Sequence, residues 1–360
     1  MKDRAIHQIL AGYTNGDAIS NEARTLRRWF REWGYESEIY CESSRILPEL
    51  RKESREVSGL RSALKPQDVV ILHLSIGSDV NEMFPFCDCR KVIRYHNVTP
   101  DVYFRALDEH LASQLAKGRV QMKALAGAAD LNLAVSGYNA SELTEAGYQD
   151  VRVLPLALEL RRLEEAPNPE VLDKYRDGKL NVLFVGRCVP NKRLEDLLYA
   201  FYYLQKFQTP NCRLIHVGSF AGTEAYLAML QSLKRELGLE HVNFVGSVPE
   251  ADLCAYYQVS DLFLCMSEHE GFGIPLLEAM QADLPVMAFA SSAVPETMQG
   301  AGFLFHEKIF DELAAWIPRL AAPGPLREET IQGQRRRLQA YDEQDVEGTL
   351  RQLLQPLLGD

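Results

Sequence analysis

The chain has 360 residues, 46% hydrophobic and 25% charged, which is enough length and apolar content for two domains that each bury a core. A net charge of −11 argues against nucleic acid as a partner, and no stretch reaches the ~18 uninterrupted apolar residues of a membrane-spanning helix. Seven cysteines without a CxxC pair read as reduced structural thiols; Cys87 and Cys89 in FCDCR lack a second Cys/His pair at zinc spacing, so no metal site is expected. The start MKDRAIHQILAGYTNG reads as a strand with no cleavage pattern behind it, and the expected compartment is the cytosol.

In the first half, apolar runs at 6–12, 69–74, 91–96, 131–136 and 151–156 read as strands, alternating with helical segments. The first strand leads into NGDAISN, a turn containing Gly16. The segment after Ser20 then places Ala23, Leu26, Phe30 and Trp33 on one helical face and Arg24, Arg27, Arg28 and Arg31 on the rest. Residues 1–160 hold 20 Lys and Arg against 22 Asp and Glu; the remaining 200 hold 19 against 28, so the first half is relatively basic. The preferred reading of this helix packs its apolar stripe on the sheet with the arginines in water. The other is weak peripheral contact with an anionic membrane at its inner face, or with a lipid diphosphate. His96 ends the strand KVIRYH and so belongs at a carboxyl-terminal strand edge, where open α/β sheets bind ligands.

A charged stretch with two prolines separates the halves, giving a first domain at 1–160, a linker at 161–179 and a second domain at 180–335, followed by a closing helix at 336–360. The second half repeats the alternation, with strands at 181–186, 213–218, 242–246, 261–267, 285–290 and 302–305, and two doubly wound parallel sheets follow. VLFVGRCVPNKRLEDLLYAF puts Arg187 and Lys192 on the loop after a buried strand, where two cations can neutralise a diphosphate. The run EGFGIPLLEAM follows the strand DLFLCMS. Its glycines Gly271 and Gly273 let backbone approach a ligand, the helix opening at Pro275 offers unpaired N–H groups to an anion, and Glu270 and Glu278 flank the turn as acceptors for sugar or ribose hydroxyls.

Glu270 and Glu278 stand at the E-x7-E spacing of the retaining glycosyltransferases of family 4, and Arg187 and Lys192 at the spacing of that family's diphosphate-binding pair. The chain resembles this family over essentially its whole length and most strongly over 181–304. The resemblance implies the GT-B fold, two Rossmann-like doubly wound domains with an interdomain cleft. It implies a catalytic role for Glu270 and His96 at the donor sugar, and a ribose contact for Glu278. Arg187, Lys192 and a backbone N–H near Gly16 would meet the diphosphate, and backbone around Ser247 and Val248 the base; Gly271, Phe272, Gly273 and Ile274 would line the donor. Asp17 departs from the family by replacing the second glycine of the phosphate loop, which leaves that loop's role open unless the carboxylate turns away to cap the following helix.

The activity implied is metal-independent, cofactor-free transfer, with retention, of a sugar from a UDP- or GDP-linked donor to a glycan or lipid-linked acceptor hydroxyl, in cell-surface glycan or glycolipid synthesis. No D-x-D triplet occurs in the chain, and the two cations can take the place of Mg²⁺. A glycoside hydrolase would also need two carboxylates but has no use for the cation pair. A sugar-nucleotide epimerase of the same fold, and a donor-binding partner subunit of a larger transferase, are the remaining alternatives.

Overall fold

The computed structural model describes residues 3–158 and 165–359. The chain divides into two compact units, Met1–Leu158 with Asp345–Asp360, and Glu159–Gln344.

In the first unit seven strands, β1 (Ile6–Leu10), β2 (Ile39–Cys41), β3 (Arg55–Glu56), β4 (Val69–Leu74), β5 (Arg90–Tyr95), β6 (Leu131–Ala134) and β7 (Val151–Val153), form one parallel sheet in the order β3-β2-β1-β4-β5-β6-β7. Every residue of β1 and β4 is buried, as expected of central parallel strands covered on both faces. The sequence reading omits β2 and β3. One has three residues and the other two, both exposed, too few for an alternating pattern to register.

The helix Ala18–Glu32 lays Leu26 and Phe30 on Ile6, Val69, Ile71 and Val92 in the core. Its arginines are held within the unit: Arg24 by Tyr13, Asn21 and Asn15, Arg27 by the Glu53 carbonyl, Arg28 by Glu32 and Arg31 by the Ser37 carbonyl. The C-terminal helical run is interrupted. Pro325–Asp342 remains in the second unit, and Val346–Leu358 restarts at Asp345, whose carboxylate accepts from the Gly348 N–H at 2.7 Å. Leu350, Leu354 and Leu358 of this last helix join the first unit's core, so of the closing helix expected at 336–360 only the part from 345 belongs to the first unit.

Part of the expected linker, 161–164, lies outside the described residues. Within the remainder, the helix Pro169–Tyr175 belongs to the second unit and docks on Glu250–Val259, with the Asn168 N–H donating to the Ala251 carbonyl at 2.9 Å. The second unit's sheet holds β8 (Leu180–Val185), β9 (Cys212–Val217), β10 (Val242–Gly246), β11 (Leu262–Cys265), β12 (Val286–Phe289) and β13 (Phe303–Phe305), all parallel, in the order β10-β9-β8-β11-β12-β13. The order reverses beside β8: its chain successor β9 lies on one side and β11 on the other, with Val182 opposite Leu262. Loops leaving such neighbouring strands diverge and open a crevice at their carboxyl ends. No helix among the described residues is long and apolar enough to cross a membrane.

Candidate active site

The loops after β8 and β11 carry the residues singled out in the second half, and the structure brings two of them into contact. Lys192 closes a short 3-10 turn, Pro190–Lys192, and its Nζ lies 2.5 Å from Glu270 Oε2, with the side chains 18% and 11% exposed. Asn191 stitches the loops together: its side chain donates to the His269 carbonyl at 3.0 Å, and its own carbonyl accepts from the Glu268 N–H at 2.9 Å. From a third segment, Ser292 Oγ accepts from the Glu270 N–H at 2.7 Å. Behind the pair, Lys308 Nζ bridges Asp196 at 2.6 Å and Glu268 at 3.0 Å, and Arg193 joins the same two carboxylates. These matched amides and charges hold both loops in one geometry before a ligand arrives.

After Glu270 the chain turns through Gly271 and Phe272 to Gly273, which caps the helix Ile274–Gln281 at φ +91°. Phe272 is buried, its carbonyl taken by the Thr297 hydroxyl and its ring edge-on to Tyr341. Ile274 opens the helix one residue before the expected Pro275. Glu278 lies deeper than its partner carboxylate: it is 1% exposed, and Tyr257 donates to its Oε2 at 2.9 Å. Arg187 is exposed, with its guanidinium 3.5 Å from the Ala221 carbonyl, and does not enter the Lys192–Glu270 pair. The loop it stands on is fixed from below, where His216 Nε2 donates to the Gly186 carbonyl at 2.9 Å and burial drives the His216 imidazole down to about 4. Val248 is half-buried and Ser247 exposed on the loop after β10.

In the first unit Gly16 adopts φ +72° in the loop after β1. Asp17 turns back to cap the following helix, accepting from the Ser20 N–H at 3.0 Å and the Ser20 hydroxyl at 2.8 Å, so its charge is spent on the helix. His96 follows β5 directly and sits in a buried polar cluster. Arg94, 1% exposed, forks onto Glu22 with contacts of 2.6 and 3.2 Å and also donates to the Leu154 and Pro155 carbonyls. His96 Nε2 is 2.8 Å from His73 Nδ1 and 3.5 Å from Glu22 Oε2. Burial pushes the Glu22 carboxyl up, but Arg94 and the two imidazoles outweigh it and hold it at about 2; burial drives His73 down to about 4 and His96 well below its usual value.

Glu22, His73 and His96 form a group of potential metal ligands whose donor atoms lie within 4.8 Å of one another. The cluster does not fit an ion. Arg94 occupies both Glu22 oxygens, and 2.8 Å between two imidazole nitrogens is a hydrogen-bond separation with no room for a cation between them. The sequence reading missed Glu22, His73, Arg94, Asn191 and Ser292. Three of these left a trace: a carboxylate four residues before Leu26 on an apolar helix face, and a His and an Arg interrupting strands that are otherwise apolar. All seven cysteines are free thiols, and burial holds Cys89 up at about 12.

Two parallel α/β sheets, the second with paired charges at its order reversal, define a two-domain α/β protein of GT-B type. Residues 171–337, a little under half of the chain, match the family described as glycosyl transferases group 1. The chain is 30% identical over 148 residues to the O-antigen chain mannosyltransferase B of Escherichia coli, covering 41% of this chain and 38% of that protein. It is 29% identical over 223 residues to a GDP-mannose-dependent alpha-(1-6)-phosphatidylinositol monomannoside mannosyltransferase of Mycobacterium tuberculosis, covering 58% and 57%. The chain therefore matches less than two thirds of the length of either relative. The fold is similar to that of HepE from Anabaena, solved in complex with UDP-glucose, with a TM-score of 0.70 and 17% identity over 99% of this chain and 100% of that one.

Proposed function

We propose that the protein is a retaining, metal-independent glycosyltransferase that moves a hexosyl group from a nucleoside diphosphate to an acceptor hydroxyl on a glycan or lipid-linked glycan. The observation that carries this reading is the convergence of Lys192 and Glu270, from the loops of two adjacent strands, at the order reversal of the second sheet and beside a helix N-terminus. A cation and a helix start favour the leaving diphosphate; a carboxylate beside them favours the hydroxyls of the sugar attached to it. Arg187 is exposed and free to swing onto the diphosphate. Glu278 is assigned to the ribose, the backbone at Val248 to the base, and Gly271 to Ile274 to the donor. In the first unit Gly16 is assigned to phosphate and His96 to the donor sugar.

Front-face attack accounts for retention: the acceptor hydroxyl loses its proton to a leaving phosphate oxygen as the C1–O bond breaks, while Glu270 orients the hexose. No covalent nucleophile is invoked. The Asp17 carboxylate, turned onto its own helix, is compatible with a phosphate at the neighbouring Gly16 backbone, which supports a transferase over a partner subunit that only binds donor. Relatives named for mannosyl transfer favour GDP-mannose, and a neighbour solved with UDP-glucose keeps UDP open.

The test is a thermal-shift comparison of UDP, GDP, ADP and dTDP, followed by transfer assays with and without EDTA. A ligand at 100 times its Kd should stabilise by ~2.7 kcal/mol. Stabilisation by one nucleoside diphosphate and turnover that survives EDTA are expected. No response to any of the four, or a strict requirement for Mg²⁺ or Mn²⁺, would overturn the proposal.

A further inference from the structure

The buried cluster around His96 fixes more than its position. We infer that Gln8 and His73 form a two-residue relay that locks His96 in one tautomer, with the proton on Nε2, and so presents its Nδ1 as an acceptor for a ligand hydroxyl.

The chain of donors and acceptors can be followed atom by atom. Gln8 Nε2 donates to the Ala23 carbonyl at 2.9 Å, which turns Gln8 Oε1 toward His73. An amide oxygen only accepts, so His73 Nε2, 2.9 Å away, carries the proton. His73 is buried and neutral, so its Nδ1 is then a lone pair. His96 Nε2, 2.8 Å from that lone pair, must be the donor. A second argument gives the same answer: Glu22 Oε2 lies 3.5 Å from His96 Nε2 and would repel a lone pair there.

The charged groups facing the two rings are Glu22 and Arg94. Because Arg94 is forked onto Glu22, the carboxylate has little left with which to stabilise an imidazolium, and both rings stay neutral. The ring planes are within 16° of parallel and the centroids 5.0 Å apart, as an in-plane N–H···N bond requires, and two positive charges at that distance would repel. His96 Nδ1 makes no hydrogen bond among the described residues, so it is the nitrogen left for a ligand. Gln8 and His73 lie on β1 and β4, the strands that flank the first sheet's order reversal, which is why two sequence-distant residues can set the protonation of a third. His73 is a positioning residue, acting through His96. That the hydroxyl belongs to a donor sugar rests on the function proposed above; the tautomer does not.

The test uses full-length protein labelled with ¹⁵N-histidine, read by long-range ¹H–¹⁵N correlation at pH 7.5, with the His96 signals assigned by their loss in His96→Gln. His96 should show a protonated Nε2 and a bare Nδ1. His73→Leu should release it into a tautomer mixture, and His73→Asn, whose Oδ1 stands where His73 Nδ1 does, should restore the Nε2–H form. In transfer assays His73→Leu should raise the donor KM about tenfold, the loss of one well-formed hydrogen bond, with kcat less affected and His73→Asn rescuing it. A wild-type His96 found as Nδ1–H or charged, a tautomer unmoved by His73→Leu, or stoichiometric Zn²⁺ binding that shifts both rings would overturn the inference. The expected tautomer in a chain with no transfer activity would instead defeat the proposed function and leave the relay standing.

Discussion

Lys192 and Glu270 neutralise one another at 2.5 Å, so neither charge is carried bare into the site. Under the function proposed above, a diphosphate arriving at Lys192 would exchange one anionic partner for another and leave Glu270 to accept from sugar hydroxyls, keeping the desolvation cost of the loaded site low. Lys192→Ala and Arg187→Ala are each expected to lower turnover by about two to three orders of magnitude with little change in folding, since on the proposed function each removes a cation from the leaving group, Lys192 one already held in place and Arg187 one that swings in. Near wild-type turnover at saturating donor in either variant would contradict the assignment. The two carboxylates should separate in their effects. Glu278→Gln is expected chiefly to weaken nucleotide binding in calorimetry, and Glu270→Gln chiefly to slow transfer at retained nucleotide affinity. Equal loss of affinity in both would argue against the division. The residue types and spacings of these four positions were legible in the chain. That Lys192 pairs with Glu270 while Arg187 stays outside was not, because the pairing depends on Asn191 and Ser292 drawing together loops far apart in sequence.

At the level of elements, sequence patterning follows the length of a strand's apolar run more than its burial: β7 is found with two of its three residues exposed, and the three-residue β2 is missed although it is buried. The six strands of the second unit and five of the seven in the first lie in apolar segments long enough to be read, whereas β2 is defined by the edge that β1 offers and β3 by the edge that β2 offers in turn. The loop bases are set by close backbone approach. A Cβ at Gly218 would stand 1.9 Å from the Gly186 carbonyl oxygen, a backbone atom that His216 also holds. One at Gly273 would meet the end of the Leu276 side chain at 2.9 Å, which can rotate away. Gly218→Ala is therefore expected to cost about 3 kcal/mol or more in urea unfolding, and Gly273→Ala about 1–2 kcal/mol, mostly from its positive φ. The reverse ranking would mean that the Gly186 carbonyl is not held as described.

For the molecule as a whole, the buried ionisable groups set a pH profile. His73 and His216 fall to about 4 in the folded chain from 6.5, so as pH drops below about 6.5 the unfolded state takes up protons first, and stability declines until about pH 4. Glu22, held at about 2, contributes stability that is fully present above about 4.5 and disappears as pH falls toward 2. Both signs point the same way. Urea midpoints are expected to fall between pH 7.5 and 5, reporting a loss of up to a few kcal/mol of unfolding free energy at ~1.4 kcal/mol per pK unit, and His73→Asn should flatten part of that slope. A midpoint independent of pH over this window would show that the histidines are solvated or already charged.

The amino-acid sequence by itself determined the two alternating sheets, because contiguous apolar strands and amphipathic helices are local patterns that survive without their partners. It also located Arg187, Lys192, Glu270, Gly271 and Gly273 on the loops after β8 and β11 and Glu278 on the following helix, since each is tied to the end of a recognisable strand. Only the tertiary structure decided that Asp17 serves its helix, that the C-terminal run breaks at Asp345 to complete the first unit's core, and that Gln8, Glu22, His73, Arg94 and His96 share one buried cluster. Those outcomes rest on hydrogen bonds and packing between residues distant in sequence, where the neighbours that satisfy a buried charge or fix a proton are supplied by strand order and not by spacing along the chain.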